Sequence, residues 1–160
     1  MNEVSDRVIT NFLNSTDKLE PADAVAAIIV DESEHILLQL RDDFPEIFFP
    51  NHWGCFGGAV ESGETVEETL VREIKEELEL EIFTNQFEYF INVDFNMKRD
   101  GPTIKRHFFV VRCKKSVLIN TQVNEGQSSK SFTKNEALDL CHVTPYDRLA
   151  IWCYFNQSRI

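Results

Sequence analysis

Between residues 61 and 79 the chain carries eight Glu against one Arg and one Lys, a local balance of −6. Val66, Leu70, Val71, Ile74 and Leu78 run through this acidic stretch at helical spacing. Successive helical residues rotate by about 100°, so these aliphatic side chains fall on one arc of roughly 140°, the face to be buried. Glu73, Glu76 and Glu77 fall on a neighbouring arc at the i, i+3, i+4 spacing that brings side chains together. Packing the apolar stripe therefore holds three carboxylates beside each other at the edge of a core. Like charges at that spacing repel by a few tenths of a kcal/mol per pair. A divalent cation such as Mg²⁺ or Mn²⁺, which takes oxygen ligands, would offset that repulsion. A solvated acidic helix face accounts for the charge equally well.

The glycines upstream separate these readings. Gly57 and Gly58 let backbone approach a ligand closely, and Gly63 supplies a tight turn before the helix, which Glu64 begins. Gly58, five residues, Glu64, seven residues, then Arg72-Glu73-Ile74-Lys75-Glu76-Glu77 and Leu80 resembles the Nudix box, G-x5-E-x7-R-E-U-x-E-E-x-G-U with U aliphatic. Eight of its nine fixed positions match. Glu79 stands where the family usually has Gly, a departure that bears on the helix exit rather than on a ligand. Phe56 stands where many members carry Pro.

The resemblance to the MutT-like Nudix hydrolases implies a mixed α+β sheet in an α/β/α sandwich. It implies divalent-metal-dependent hydrolysis of a diphosphate linkage, with Mg²⁺ as cofactor and Mn²⁺ as substitute. Carried over residue by residue, Glu73, Glu76 and Glu77 are the metal-binding carboxylates, joined by the Gly57 carbonyl. Arg72 orients Glu73, and Glu64 braces loop and helix. Glu125-Gly126-Gln127 resembles the stretch that contributes a further metal-binding glutamate in MutT-type members; an ordinary loop Glu is the alternative. Glu73 is the first choice as general base and Glu125 the second. Arg41 stands where relatives place a phosphate-contacting Arg, or is a plain surface Arg. Asp147 stands where some relatives read a base edge, or is the N-cap of the last helix. The implied substrate is a nucleoside di- or triphosphate or a related derivative. The alternatives are a nucleotide-sugar of the ADP-ribose type and a non-catalytic nucleotide sensor. Sensors usually lose box glutamates, and Glu64, Glu73, Glu76 and Glu77 are all present here.

The remaining chain frames this site. Its 160 residues suit one domain, read as residues 21–160 behind a helical extension over residues 1–20. Val4, Val8, Ile9, Phe12 and Leu13 give that extension a helical stripe over residues 3–13, ended by Pro21. A net charge of −11 argues against non-specific binding to nucleic acid or anionic membrane. No membrane span, secretory signal or zinc-like Cys/His spacing is visible, so a reduced, cytoplasmic monomer or homodimer is expected.

Strands are expected over residues 24–31, 35–40, 53–56, 79–95 and 104–113. The main helix is expected over 65–78 and closing helices over 134–140 and 147–155. Residues 125–131 read as a polar loop. Segments 42–52 and 95–103 are the expected substrate-selecting loops. Phe48, Phe49, Trp53, Phe95 and Phe132 are candidates to stack on a base, with most expected in the core and one or two at most in the pocket. His52, His107 and His142 are expected to be structural or exposed.

Overall fold

The computed structural model describes residues 19, 21–96 and 99–160. The helix expected over residues 3–13 lies outside the described residues. Residues 24–30 (AVAAIIV) form an uninterrupted apolar run, and such a strand is stable only with both of its faces covered. It becomes β1 (Ala24–Val30), the middle of a six-stranded sheet ordered β3-β2-β1-β5-β4, with β6 also pairing β2. The other strands are β2 (Ile36–Leu40), β3 (Trp53–Gly54), β4 (Phe87–Asn96), β5 (Thr103–Arg112) and β6 (Ser128–Phe132). β1 runs parallel to β5 and antiparallel to β2, so the sheet is mixed. The turn between β1 and β2 is closed by Asp31, whose Oδ1 accepts the amides of Ser33 and His35.

Side chains alternate across a strand, so β1 and β5 feed two cores. Ala26, Ile28, Phe108 and Val110 pack on one face with Ala150, Ile151 and Tyr154 of α4 (Pro145–Phe155). Val25, Ala27, Ile29, Phe109 and Val111 pack on the other against Leu70, Ile74 and Leu78 of α1 (Val66–Leu78). The short helices α2 (Lys115–Ile119) and α3 (Lys134–Asp139) complete the chain's α/β/α layering.

α1 starts at a capping box. Thr65 is the N-cap and Glu68 binds back to its amide, so Glu64 precedes the helix instead of beginning it. Leu70, Ile74 and Leu78 are almost wholly buried, each contributing about 2 kcal/mol of apolar burial.

Two expectations are corrected. Residues 79–86 alternate in polarity yet form no strand; β4 begins only at Phe87, because α1 exits through a left-handed residue and a turn intervenes. Residues 128–132 are a strand and not a loop. Ser128–Phe132 lies alongside β2 from Leu40 to Ile36, and this backbone pairing overrides a composition that signals coil. α2 was not anticipated.

Candidate active site

α1 arranges its carboxylates at two depths. Glu73 and Glu77 are buried with the apolar stripe, whereas the Glu76 side chain is 59% exposed. Arg72 gathers the group. Its Nε and one terminal nitrogen donate to the two oxygens of Glu64 at 2.8 and 2.9 Å. The other donates to Glu73 at 2.8 Å and Glu76 at 3.3 Å. The Arg72 hydrogen bonds hold Glu64 at a pKa of about 2, well below the usual carboxylate range. Burial instead raises Glu73, against the pull of Arg72. Glu77 is pushed up to about 8, chiefly by burial. The neighbouring charges of Glu125 and Glu73 add to this, and hydrogen bonds from Gln39 and the Gly57 amide work against it. Expected site residues far apart in sequence thus share one electrostatic neighbourhood.

Backbone without side chains makes this approach feasible. Residues 56–59 run beside β1, with the carbonyls of Phe56 and Gly58 accepting from Ala27 and Val25 and the Gly57 carbonyl left outside that ladder. Gly57 has φ +133°, and a Cβ there would sit 2.4 Å from the Val25 carbonyl oxygen. A Cβ on Gly58 would sit 2.5 Å from Glu73 Oε1. Both glycines are therefore required for Glu73 and Glu77 to lie against the loop.

The missing helix-ending glycine is also accounted for. Glu79 adopts the left-handed conformation itself, at φ 54° and ψ 24°, and its amide donates to the Lys75 carbonyl. Asn124 supports it. Its side-chain amide donates to the Glu76 carbonyl and to Glu79 Oε1, both at 3.1 Å, while its backbone amide donates to the Glu77 carbonyl at 2.8 Å. Asn124 thereby ties the end of α1 to the loop that presents Glu125. Sequence reading missed it; its place directly before Glu125 was the available signal.

A cavity of about 240 Å³ opens where β1 and β5 begin and β2 and β4 end. On the α1 side it is lined by Gly57, Gly58, Glu77 and Glu125, and Arg41 lines it as well. Arg41 is positioned by a 3.0 Å bond from its Nε to the Phe48 carbonyl. On the α4 side it is lined by Phe48, Phe95, Ile104, Arg106 and Tyr146. Phe48 thus comes from the expected 42–52 loop, and Phe95 from the end of β4, where the expected 95–103 segment begins. Phe49 packs instead on Tyr146 and His52, and Trp53 packs edge-on against the buried Phe132. His52 bonds the Pro50 carbonyl and packs edge-on against His142, while His107 bonds the Tyr89 hydroxyl.

Asp147 is not the N-cap of α4. Thr144 is the N-cap of α4, and Asp147 lies in the first turn at 1% exposure. Its Oδ2 accepts the Cys55 amide at 2.9 Å and its Oδ1 accepts Arg106 Nε at 3.1 Å. With both oxygens taken inside the protein, it stands behind the cavity wall and does not line it. Arg106 does line it and was not anticipated, because the run from Ile104 to Cys113 reads only as a strand. Burial opposes the charge of Arg106, but Asp147, together with Tyr146 and Cys55, outweighs it and raises its pKa above the ordinary arginine value.

The NUDIX domain family model matches residues 20–153. This chain belongs to the NUDIX family. A stretch of 54 residues is 44% identical to the nucleoside triphosphatase NudI of Escherichia coli (strain SE11), covering 34% of this NUDIX chain and 37% of that relative. The chain therefore spans little more than a third of that relative's length. The fold resembles the crystal structure of a MutT NUDIX hydrolase from Burkholderia pseudomallei, with a TM-score of 0.66 at 22% identity over 83% of this chain and 97% of that one. It also resembles the NUDIX domain of Shewanella oneidensis NrtR in complex with ADP ribose. That TM-score is 0.64 at 17% identity, over the whole of both chains. No helix among the described residues is long and apolar enough to cross a membrane.

Proposed function

We propose that this NUDIX protein hydrolyses the diphosphate linkage of a nucleoside di- or triphosphate, using Mg²⁺ held by Glu73, Glu76, Glu77, Glu125 and the Gly57 carbonyl. The observation that carries the reading is the placement of Glu77, Glu125, Gly57 and Arg41 around one cavity, with Glu73 directly behind Gly58. The named triphosphatase relative supports it over the matched third.

The donor set suits a hard divalent ion, since every candidate ligand is an oxygen. Among the described residues, no three His, Cys, Asp or Glu side chains converge as they stand on a single ion position. Arg72 holds Glu73 and Glu76, and Gln39 and the Gly57 amide hold Glu77. The elevated pKa of Glu77 shows that burial disfavours its charged form despite the bonds from Gln39 and the Gly57 amide, and a cation beside it would favour that form. When bound, the ion neutralises phosphate oxygens and lowers the pKa of a nearby water.

The protein's own groups do the rest. Arg41 binds phosphate oxygens, and Gly57 and Gly58 let them approach the backbone. Glu125 lines the cavity and Glu73 does not, which favours Glu125 over Glu73 as the group that takes the proton from the attacking water. The water oxygen bonds to phosphorus, and the bridging P–O bond breaks with its electron pair on the departing phosphate. Arg72 and Glu64 keep Glu73 and Glu76 in place through that step.

The test is a panel of nucleoside triphosphates, dinucleotides and nucleotide-sugars assayed with Mg²⁺ and Mn²⁺. Metal-dependent phosphate or diphosphate release from a triphosphate is the expected result. Release only from nucleotide-sugars redirects the substrate assignment, and binding without cleavage of any member overturns the reading.

A further inference from the structure

Among the described residues, Arg106 is the one buried cation in the cavity wall, with a side chain 10% exposed. Its guanidinium is fixed from several sides. Nε donates to Asp147, and the guanidinium carbon lies 4.6 Å from the Tyr146 ring centroid and 5.6 Å from that of Phe108. Among the described residues Asp147 is the side-chain hydrogen-bond partner of this guanidinium, and it uses Nε. The two terminal amino groups have no protein partner among the described residues and are not sealed from solvent, so their N–H donors are open to a ligand at the cavity wall. Their natural complement is a ligand acceptor.

The surroundings define which acceptor. Asp147 already neutralises the Arg106 charge, so the pair presents directed donors with little net attraction for an anion. Arg41 and the α1 side remain the place for phosphate. Aromatic surface from Phe48, Phe95 and Tyr146 flanks the guanidinium, and the Phe95 and Tyr146 rings lie nearly parallel at 9°. A flat ring with two adjacent acceptors on its edge fits this wall. A 6-oxopurine presents them as O6 and N7, the pair to which Arg binds with two hydrogen bonds. Adenine replaces O6 with an amino group and would set donor against donor.

We propose that Arg106, held by Asp147, selects a 6-oxopurine nucleotide over its 6-amino counterpart at the α4 side of the cavity. This names the substrate class within the function proposed above and rests on that reading for its place in catalysis. The recognition itself requires no hydrolysis.

Titration calorimetry with IMP and AMP, which differ at position 6, tests it without turnover. Wild-type protein is expected to bind IMP about tenfold or more tighter than AMP. Arg106→Lys keeps a charge beside Asp147 and removes the two-pronged edge; it should bring the two nucleotides to within about threefold, through weaker IMP binding. The double variant Arg106→Met/Asp147→Asn removes the ion pair without leaving a buried charge, keeps an acceptor for the Cys55 amide, and should do the same. Thermal unfolding of both variants confirms that they are folded. Equal binding of IMP and AMP by the wild type, including no detectable binding of either, overturns the proposal. So does a preference that survives in a folded variant. If IMP preference is found while no triphosphate is cleaved, the recognition stands and the hydrolytic reading fails.

Discussion

The two sides of the cavity handle buried charge in opposite ways. On the α1 side, Glu73, Glu77 and Glu125 oppose one another, and Glu77 is driven up to about 8 because burial outweighs the hydrogen bonds from Gln39 and the Gly57 amide. On the α4 side, Arg106 and Asp147 are equally buried but satisfy each other. An uncompensated cluster can recruit a cation and respond to it. A closed pair has no such appetite and offers geometry instead. Under the function proposed above, the reaction falls to α1 and discrimination to α4, and each half can be broken separately.

The largest effect is expected on the α1 side. Glu76→Gln and Glu77→Gln should each lower turnover about a hundredfold or more, equivalent to about 3 kcal/mol of barrier, while the fold persists. Steady-state kinetics with circular dichroism checks this, and near-normal rates in a folded variant would sink the ligand assignment.

On the α4 side the matching change acts on stability. Asp147→Ala leaves Arg106 buried without its partner and the Cys55 amide without its acceptor, and should destabilise by about 3 kcal/mol. Urea denaturation reads it; a loss below about 1 kcal/mol would show that the pair is not closed off as described.

A smaller effect concerns acid. Glu64 is depressed to about 2 by Arg72, so its contribution is present above its unfolded value near 4.5 and fades as pH falls towards 2. Glu64→Gln should flatten that part of the stability profile without altering it between pH 6 and 8 in shape. An unchanged acid limb would contradict the bracing role.

The smallest concerns the helix exit. Glu79→Gly should stabilise by about 0.5–1 kcal/mol, because glycine reaches φ near 54° without strain. Loss of the Asn124 bond to Glu79 works against this gain, so a destabilised variant would mean that Asn124 contributes more than the strain takes away.

The same division governs what could be read from the sequence. α1 was legible because its apolar stripe and its carboxylates follow one helical period, and β1 because a continuous aliphatic run has few stable alternatives. Ligand spacing within one helix is a local property. Arg106 was not legible: within its strand it reads as one more polar position, and only α4, 41 residues further along, supplies the Asp147 that allows it to be buried. β6 was hidden likewise, since Ser128–Phe132 becomes a strand by pairing with β2 and not by its own propensity. Residues 79–86 show the reverse error, an alternating pattern defeated by the left-handed exit at Glu79.

The most direct test is the rate of nucleoside triphosphate cleavage measured against Mg²⁺ concentration for the wild type and Glu77→Gln. The account predicts saturable, metal-dependent cleavage in the wild type, abolished by a chelator and reduced about a hundredfold in the variant. Cleavage that survives chelation, or that is equal in the two proteins, would contradict it.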